Sequence, residues 1–458
     1  MLISPSSASA LTKGLNTDLT WGISGAEQDQ TIAGLTDLGA GWQRFVIPWH
    51  DLETRDNSYS GLGPYDQAIN KAEAAGINLV VTVYTAPGWS SGVSSRESPP
   101  RDPADYADFM SFAANRWGSK VDAWEIWNEQ NAQGFWSTGP DPAKYAHLLE
   151  AAYPAVKAAD PSAQVVYGGT WQNDYDFLEA AYAEVPNLGD YFDVMGTHPY
   201  NGVSSPESVS LRPDGRIEPW SFAGYRELRA TMLAHGDDKP IWFTEFGWSS
   251  FNDPWGVSEA TQAEFLTKAF ACAEQDEYVQ AAMWYAYRNH PYGGDGQNWE
   301  YQLGLTRTDF SHKPAYDAFK SVTPGSGGCT YQYPGGAGPE PAPEPEVEPT
   351  VPEDEPQSST VTASGGPVLL VRFVRTQRAR AAVVGRVKRA DRGRVVIRVQ
   401  RRAENRNWRD ARSFRLGLNE SGRFHKRLKL ADGRWRLRAV YRVGSSKKTR
   451  SRLVYFRG

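Results

Sequence analysis

Glu129 in W-E-I-W-N-E-Q-N (124–131) and Glu245 in I-W-F-T-E-F-G-W (241–248) carry the strongest chemical signal in the sequence. Each ends a short apolar run rich in β-branched or aromatic residues, the mark of a buried strand. Two carboxylates brought together from different strands suit the cleavage of a glycosidic bond. One lends a proton to the leaving oxygen, and the other acts on the sugar carbon or on water. A single buried Glu can be purely structural; two at the ends of the fourth and seventh strands of a repeating pattern point to chemistry.

The elements that must position them alternate. Strand-like runs cover Leu19–Ser24, Trp42–Ile47, Asn78–Tyr84, Ala123–Trp127, Gln164–Gly169, Phe192–Thr197, Pro240–Thr244 and Ala281–Ala286. Helical patterns fall between them at Gln28–Gly41, Tyr65–Gly76, Ala104–Gly118, Ala143–Ala159, Tyr175–Glu184, Tyr225–Gly236 and Ser258–Gln275, and Pro314–Val322 closes the series. Glycines at 41, 76, 118 and 236 follow several helices as stop signals. Eight strand–helix units predict an α/β fold, a (β/α)8 TIM barrel with its site at the C-terminal strand ends. An open doubly wound sheet is the competitor, but no G-x-G-x-x-G follows the first strand.

Further candidates sit at the same strand ends. Arg44 lies on the second strand, His198 and Tyr200 stand two apart after the sixth, and Trp284 lies on the eighth. Arg44 could pair with any rim carboxylate, Trp284 could be packing, and His198 could be a core histidine. Their convergence with the glutamates favours one shared site. The seven His form no H-x-H or H-E-x-x-H pair, so neither a metal nor another cofactor is expected.

N-E after strand four, H-x-Y after strand six, T-E-F-G after strand seven and Trp on strand eight resemble clan A retaining glycoside hydrolases. W-E-I-W-N-E-Q-N and G-T-H-P-Y look most similar to family 39-type enzymes, including bacterial exopolysaccharide endoglycosidases; T-E-F-G-W is equally similar to family 5 cellulase-like enzymes. The resemblance covers roughly 15–325. Gln130 departs from it, because many relatives have Pro after the acid/base Glu. The resemblance implies a retaining O-glycosyl hydrolase acting by double displacement, with Glu129 as general acid then base and Glu245 as nucleophile. Arg44 and Tyr200 would hold Glu245 charged, Asn128 would bond the sugar 2-hydroxyl, and Trp284 would stack beneath the ring. A transglycosylase, or a non-catalytic glycan-binding barrel anchored by the tail, is the alternative. Trp89, Trp136, Trp171, Trp248 and Trp255 fall in or near loops at the active face, which predicts an open, multi-subsite cleft and endo action on a β-linked polysaccharide.

The rest of the chain is built differently. Of 458 residues, 1–14 read as an N-terminal remnant, 15–333 as the barrel, 334–366 as an acidic Pro-rich linker and 367–458 as a basic domain. Residues 1–333 carry 20 Lys+Arg against 42 Asp+Glu, and the tail 29 against 5. Period-two alternation of apolar and basic residues between D-R-G, E-S-G and A-D-G turns predicts a small antiparallel, immunoglobulin-like β-sandwich. Its cations suit an anionic cell-surface or wall polymer, or only a solvated face. Nucleic acid is disfavoured because the arginines form no readable helix. No apolar run is long enough to span a membrane. Ala8-Ser9-Ala10 looks like the end of a signal peptide, and Cys272 and Cys329 form either one bridge or two unrelated thiols, so a secreted or cell-surface monomer is the expectation.

Overall fold

The computed structural model describes residues 11–20, 23–252, 254–290, 299–323, 325 and 328–334, together with the backbone of eight strands between 368 and 457. Residues 1–10, the linker after Pro334 and the three tail turns lie outside the described residues.

Eight parallel strands close into a barrel in sequence order: β1 (Thr12–Asn16), β2 (Trp42–Pro48), β3 (Asn78–Tyr84), β4 (Ala123–Ile126), β5 (Gln164–Trp171), β6 (Val194–His198), β7 (Ile241–Phe246) and β8 (Val279–Trp284). The expected (β/α)8 barrel is therefore present. Its first strand differs from the one expected. The described residues of that run, Leu19, Thr20, Ile23 and Ser24, are not in a strand; Ser24 caps the helix Gly25–Asp37 in a reciprocal box with Glu27, and such a box marks a helix start. The actual β1 is short and polar, T-K-G-L-N, and pairs Gly14 with Trp42 and Thr12 with Ala281. It begins within the segment expected as a remnant. Lys13 fixes it from outside by donating to the Phe319 and Val322 carbonyls near the last helix, at 2.9 and 3.2 Å.

Two apolar layers hold the barrel. Outward-facing strand residues pack against the surrounding helices in one large core that includes Trp124, Ile126, Phe243 and Trp284. Inside, Val80, Ala123, Val166, Val194, Trp242, Ala281 and Met283 fill the lower barrel. Side chains on one strand face recur every second residue. Arg44 thus stands two residues beyond Trp42, Thr82 beyond Val80, Glu125 beyond Ala123 and Thr244 beyond Trp242, making a polar tier above the apolar floor. Cys272 and Cys329 form a disulfide with Cα atoms 4.8 Å apart, joining the helix Glu259–Ala273 to the segment after the last helix.

The chain divides into two compact units, 1–345 and 346–458. In the second, eight strands, β9 (Val368–Gln377), β10 (Arg380–Lys388), β11 (Arg394–Arg402), β12 (Trp408–Gly417), β13 (Arg423–Lys429), β14 (Arg434–Val443), β15 (Lys447–Arg450) and β16 (Val454–Arg457), pair antiparallel. They form one sheet in the order β13-β10-β9 and another in the order β12-β11-β14-β15, with β16 on β14.

Candidate active site

The polar tier converges on Arg44. Its guanidinium is buried and spends every arm. Nε donates to Glu125 Oε2 at 2.6 Å, Nη1 to Glu245 Oε1 at 2.6 Å and to Asn16 Oδ1 at 2.8 Å, and Nη2 to Asn128 Oδ1 at 2.8 Å. Asn16 is fixed in turn by donating to the Thr244 carbonyl at 2.9 Å. The fork geometry of Arg suits several carboxylates at once, which a single ammonium could not bind in the same way.

His198, wholly buried on β6, places Nδ1 2.8 Å from Glu129 Oε1 and 3.7 Å from Glu245 Oε2. One oxygen of each glutamate and one nitrogen of this ring lie within 4.8 Å of one another. Three such donors could face a cation, but the Arg44 guanidinium already supplies positive charge at Glu245. The Tyr200 hydroxyl donates to Glu245 Oε2 at 3.2 Å.

The backbone around Glu129 is shaped for the purpose. Trp127 and Glu129 have φ of 70° and 46°, left-handed values that L residues adopt only when neighbours enforce them. Enforcement comes from β5, where Gly168 and Gly169 sit in an irregularity of the β5–β6 register. The Gly169 carbonyl accepts the Glu129 N–H at 2.9 Å. A Cβ on Gly169 would lie 2.2 Å from His198 Nε2, so only glycine admits the imidazole. Gln130, where the resemblance led us to expect Pro, is buried and donates to the Gly168 carbonyl at 2.8 Å.

Electrostatics follow from this packing. Burial pushes the carboxyls of Glu129 and Glu245 upward, opposed by His198 at the first and by Arg44 at the second. Glu245 also accepts from the Tyr200 hydroxyl, which further favours its ionised form. Glu125 is as deeply buried, yet Arg44, His198 and its hydrogen bonds overcome desolvation and hold its carboxyl below the ordinary range. Desolvation, the nearby Glu245 carboxylate and other neighbours push the Tyr200 phenol well above its usual value, so it stays a donor.

A cleft of about 330 Å³ opens above the pair, and Arg44, Asn128, Glu129, Tyr200 and Glu245 all reach it. Trp284 does not. It is fully buried between Phe246 and Trp248, with its indole N–H donating to the Leu303 carbonyl at 3.0 Å. The sugar platform expected of Trp284 is thus corrected: strand alternation turns it outward to the helix layer, and Tyr285, the next residue, faces the cleft. Trp136 and Trp248 are likewise core, while Trp171 lines the cleft and Trp255 is 73% exposed. Tyr200 links two cleft aromatics, with ring centroids 6.1 Å from Trp171 and 6.4 Å from Trp299.

Sequence reasoning passed over Glu125, Asn16, the Gly168–Gly169 pair, Tyr285 and Trp299. Glu125 did leave a signal, a charged residue in an otherwise apolar four-residue strand. The glycine pair also did, since Gly in a strand marks a bulge or close approach.

A closed parallel barrel with paired carboxylates in a cleft at its C-terminal rim defines a glycoside hydrolase. The sequence model of the cellulase family (glycosyl hydrolase family 5) matches residues 4–290, and the chain belongs to that family. Among solved structures it resembles a family 39 glycoside hydrolase from the gut symbiont Bacteroides cellulosilyticus WH2, at 17% identity over 93% of this chain and 81% of that one, TM-score 0.57. It also resembles GH5_18 from Streptomyces cattleya in complex with GlcNAc, at 17% identity, 69% and 80% coverage and TM-score 0.54. The exo-β-1,4-mannosidase Op5Man5 from Opitutaceae bacterium strain TAV5 is similar at 17% identity, 69% and 61% coverage and TM-score 0.50. These likenesses establish a shared (β/α)8 barrel fold. Among curated proteins, none matches.

Proposed function

We propose that the protein is a retaining glycoside hydrolase that cuts a β-linked polysaccharide internally by double displacement. The close approach of the two carboxyls, with oxygens within 4.8 Å, carries this reading. Retaining enzymes hold them about 5–5.5 Å apart, whereas inverting ones leave about 6.5–9.5 Å for a water.

Glu129, protonated, gives its proton to the glycosidic oxygen as Glu245 attacks the anomeric carbon, breaking the carbon–oxygen bond and forming a glycosyl-enzyme. Glu129 then takes a proton from water, which displaces Glu245 and restores both groups. Arg44 and Tyr200 keep the nucleophile ionised and aimed. Because Asn128 Oδ1 accepts from Arg44, its amide N–H groups remain to bond the sugar 2-hydroxyl. The row Trp171, Tyr200, Trp299 supplies faces for more than one sugar ring, the observation behind internal cleavage.

The basic unit is proposed to tether a secreted enzyme to an anionic polymer. In the β11–β14 register Arg394 pairs with Arg442 and Arg398 with Arg438, and the tail as a whole carries 29 Lys+Arg against 5 Asp+Glu. The intervening register pairs Val395 with Tyr441 and Val399 with Leu437.

A polysaccharide panel read by ¹H NMR tests the proposal. The β-anomer should appear first, with an early fall in polymer viscosity. First appearance of the α-anomer would mean inversion, and monosaccharide release without viscosity loss would mean exo action.

A further inference from the structure

Glu125 takes no part in the double displacement, yet its carboxylate touches the supports of both reacting groups. Oε2 accepts from Arg44 Nε at 2.6 Å and from the Thr82 hydroxyl, and the same guanidinium reaches Glu245 at 2.6 Å. Oε1 accepts the Gly169 N–H at 3.0 Å, and the carbonyl of that glycine takes the Glu129 N–H at 2.9 Å. One side chain on β4 thus anchors β2, β3 and β5 and closes a continuous path from Glu245 to Glu129. The path ends on the residue whose φ of 46° needs outside support. A buried carboxylate is a poor way to gain stability, since desolvation of the ions offsets most of their attraction. Its position between the two supports has a better explanation in alignment.

We propose that Glu125 is a positioning residue that fixes the spacing of the two catalytic carboxylates and, by sharing Arg44, sets the pH at which Glu245 ionises. This rests on the roles assigned above to Glu129 and Glu245. The titratable groups facing Glu245 are Arg44 from β2, Tyr84 from β3, Glu125 and Glu129 from β4 and its loop, His198 and Tyr200 from β6, and Tyr285 after β8. Among them Glu125 is the anion that competes for the guanidinium. Without its charge Arg44 serves Glu245 alone, and the ionised nucleophile is favoured to lower pH.

The test uses the full chain and a 2,4-dinitrophenyl β-glycoside, whose leaving group needs no proton, so that the acid limb of kcat/KM reports Glu245. Glu125→Gln should lower kcat about tenfold or more and move that limb to lower pH by about half a unit or more. Glu125→Asp keeps the charge but shortens the reach, so it should lower kcat and leave the limb in place. A folded Glu125→Gln with kcat within twofold and an unmoved limb overturns the proposal. If Glu125→Gln does not fold, Glu125→Asp decides: reduced kcat with unchanged KM supports alignment, and wild-type kcat refutes it. A ¹³C-carboxyl NMR titration of Glu245, assigned by its loss in Glu245→Gln, gives the same shift without turnover. Near-normal turnover of Glu245→Gln sinks the reading beneath; an inactive Glu245→Gln beside an unmoved limb in Glu125→Gln sinks this inference alone.

Discussion

His198 Nδ1 stands 2.8 Å from Glu129 Oε1, inside a wall where Gly169 leaves no room for a side chain. The imidazole therefore orients the proposed general acid from behind, out of reach of the sugar. Arg44, which borders the cleft, orients the proposed nucleophile, so each carboxylate has its own buried partner and keeps one face to the cleft.

Loss of either carboxyl should stop hydrolysis without unfolding the barrel. Glu129→Gln should lower kcat by about 10²–10⁴-fold on a poor leaving group, and Glu245→Gln at least as much. Azide added to Glu245→Ala should yield a glycosyl azide of inverted anomeric configuration. A Glu245→Gln variant with near-normal turnover excludes the assignment.

Burial raises both carboxyls, so both limbs of the pH–kcat/KM profile should lie above ordinary carboxylate values. The acid limb reports Glu245 and the alkaline limb Glu129. The sign for stability follows. With its folded pKa raised, Glu129 contributes stability below its unfolded pKa and loses it as pH rises through the folded value. At pH 8 Glu129→Gln should melt about 2–5 °C above wild type, the gain from removing an ionised buried group. The difference should close by pH 4. A melting point for Glu129→Gln below wild type at pH 8 contradicts this.

The tryptophans divide into two classes. Trp171→Ala should raise KM on polymer about tenfold, the loss of about 1.5 kcal/mol of stacking, with the melting point little changed. Trp136→Ala and Trp284→Ala should instead cost about 3–5 kcal/mol of stability. Steady-state kinetics and thermal melts on the same preparations separate them.

A chain ending near Pro334 should keep its turnover on a short soluble substrate and lose salt-sensitive retention on anionic polymer. The formal charges of residues 1–333 and of the tail, −22 and +24, make retention weaken as salt rises. A tenfold loss of turnover on the small substrate, with the barrel folded, would give the tail a part in the active site.

Reducing the Cys272–Cys329 bridge should remove on the order of 4 kcal/mol, given the 57-residue separation. Calorimetry with and without reductant measures it; an unchanged melting point would show the bridge to be thermodynamically idle.

Local patterns settle what depends on neighbours along the chain. Period-two and helical repeats, capping residues and the N-E and T-E-F-G motifs marked seven of the eight strands, the barrel class and the two glutamates. The first strand escaped because T-K-G-L-N has no apolar pattern of its own. Its place depends on pairing with Trp42 and Ala281, far along the sequence. Which aromatics face sugar was equally hidden. Trp284 and Tyr285 are adjacent, and strand direction alone sends one to the core and the other to the cleft. Glu125 gains its meaning only when β2, β4, β5 and β7 meet, since no spacing in the sequence links it to Arg44, Gly169 or Glu245. The sequence alone determined which residue types could do the chemistry. Barrel closure decided which side chains converge, because that depends on contacts between residues remote in the chain.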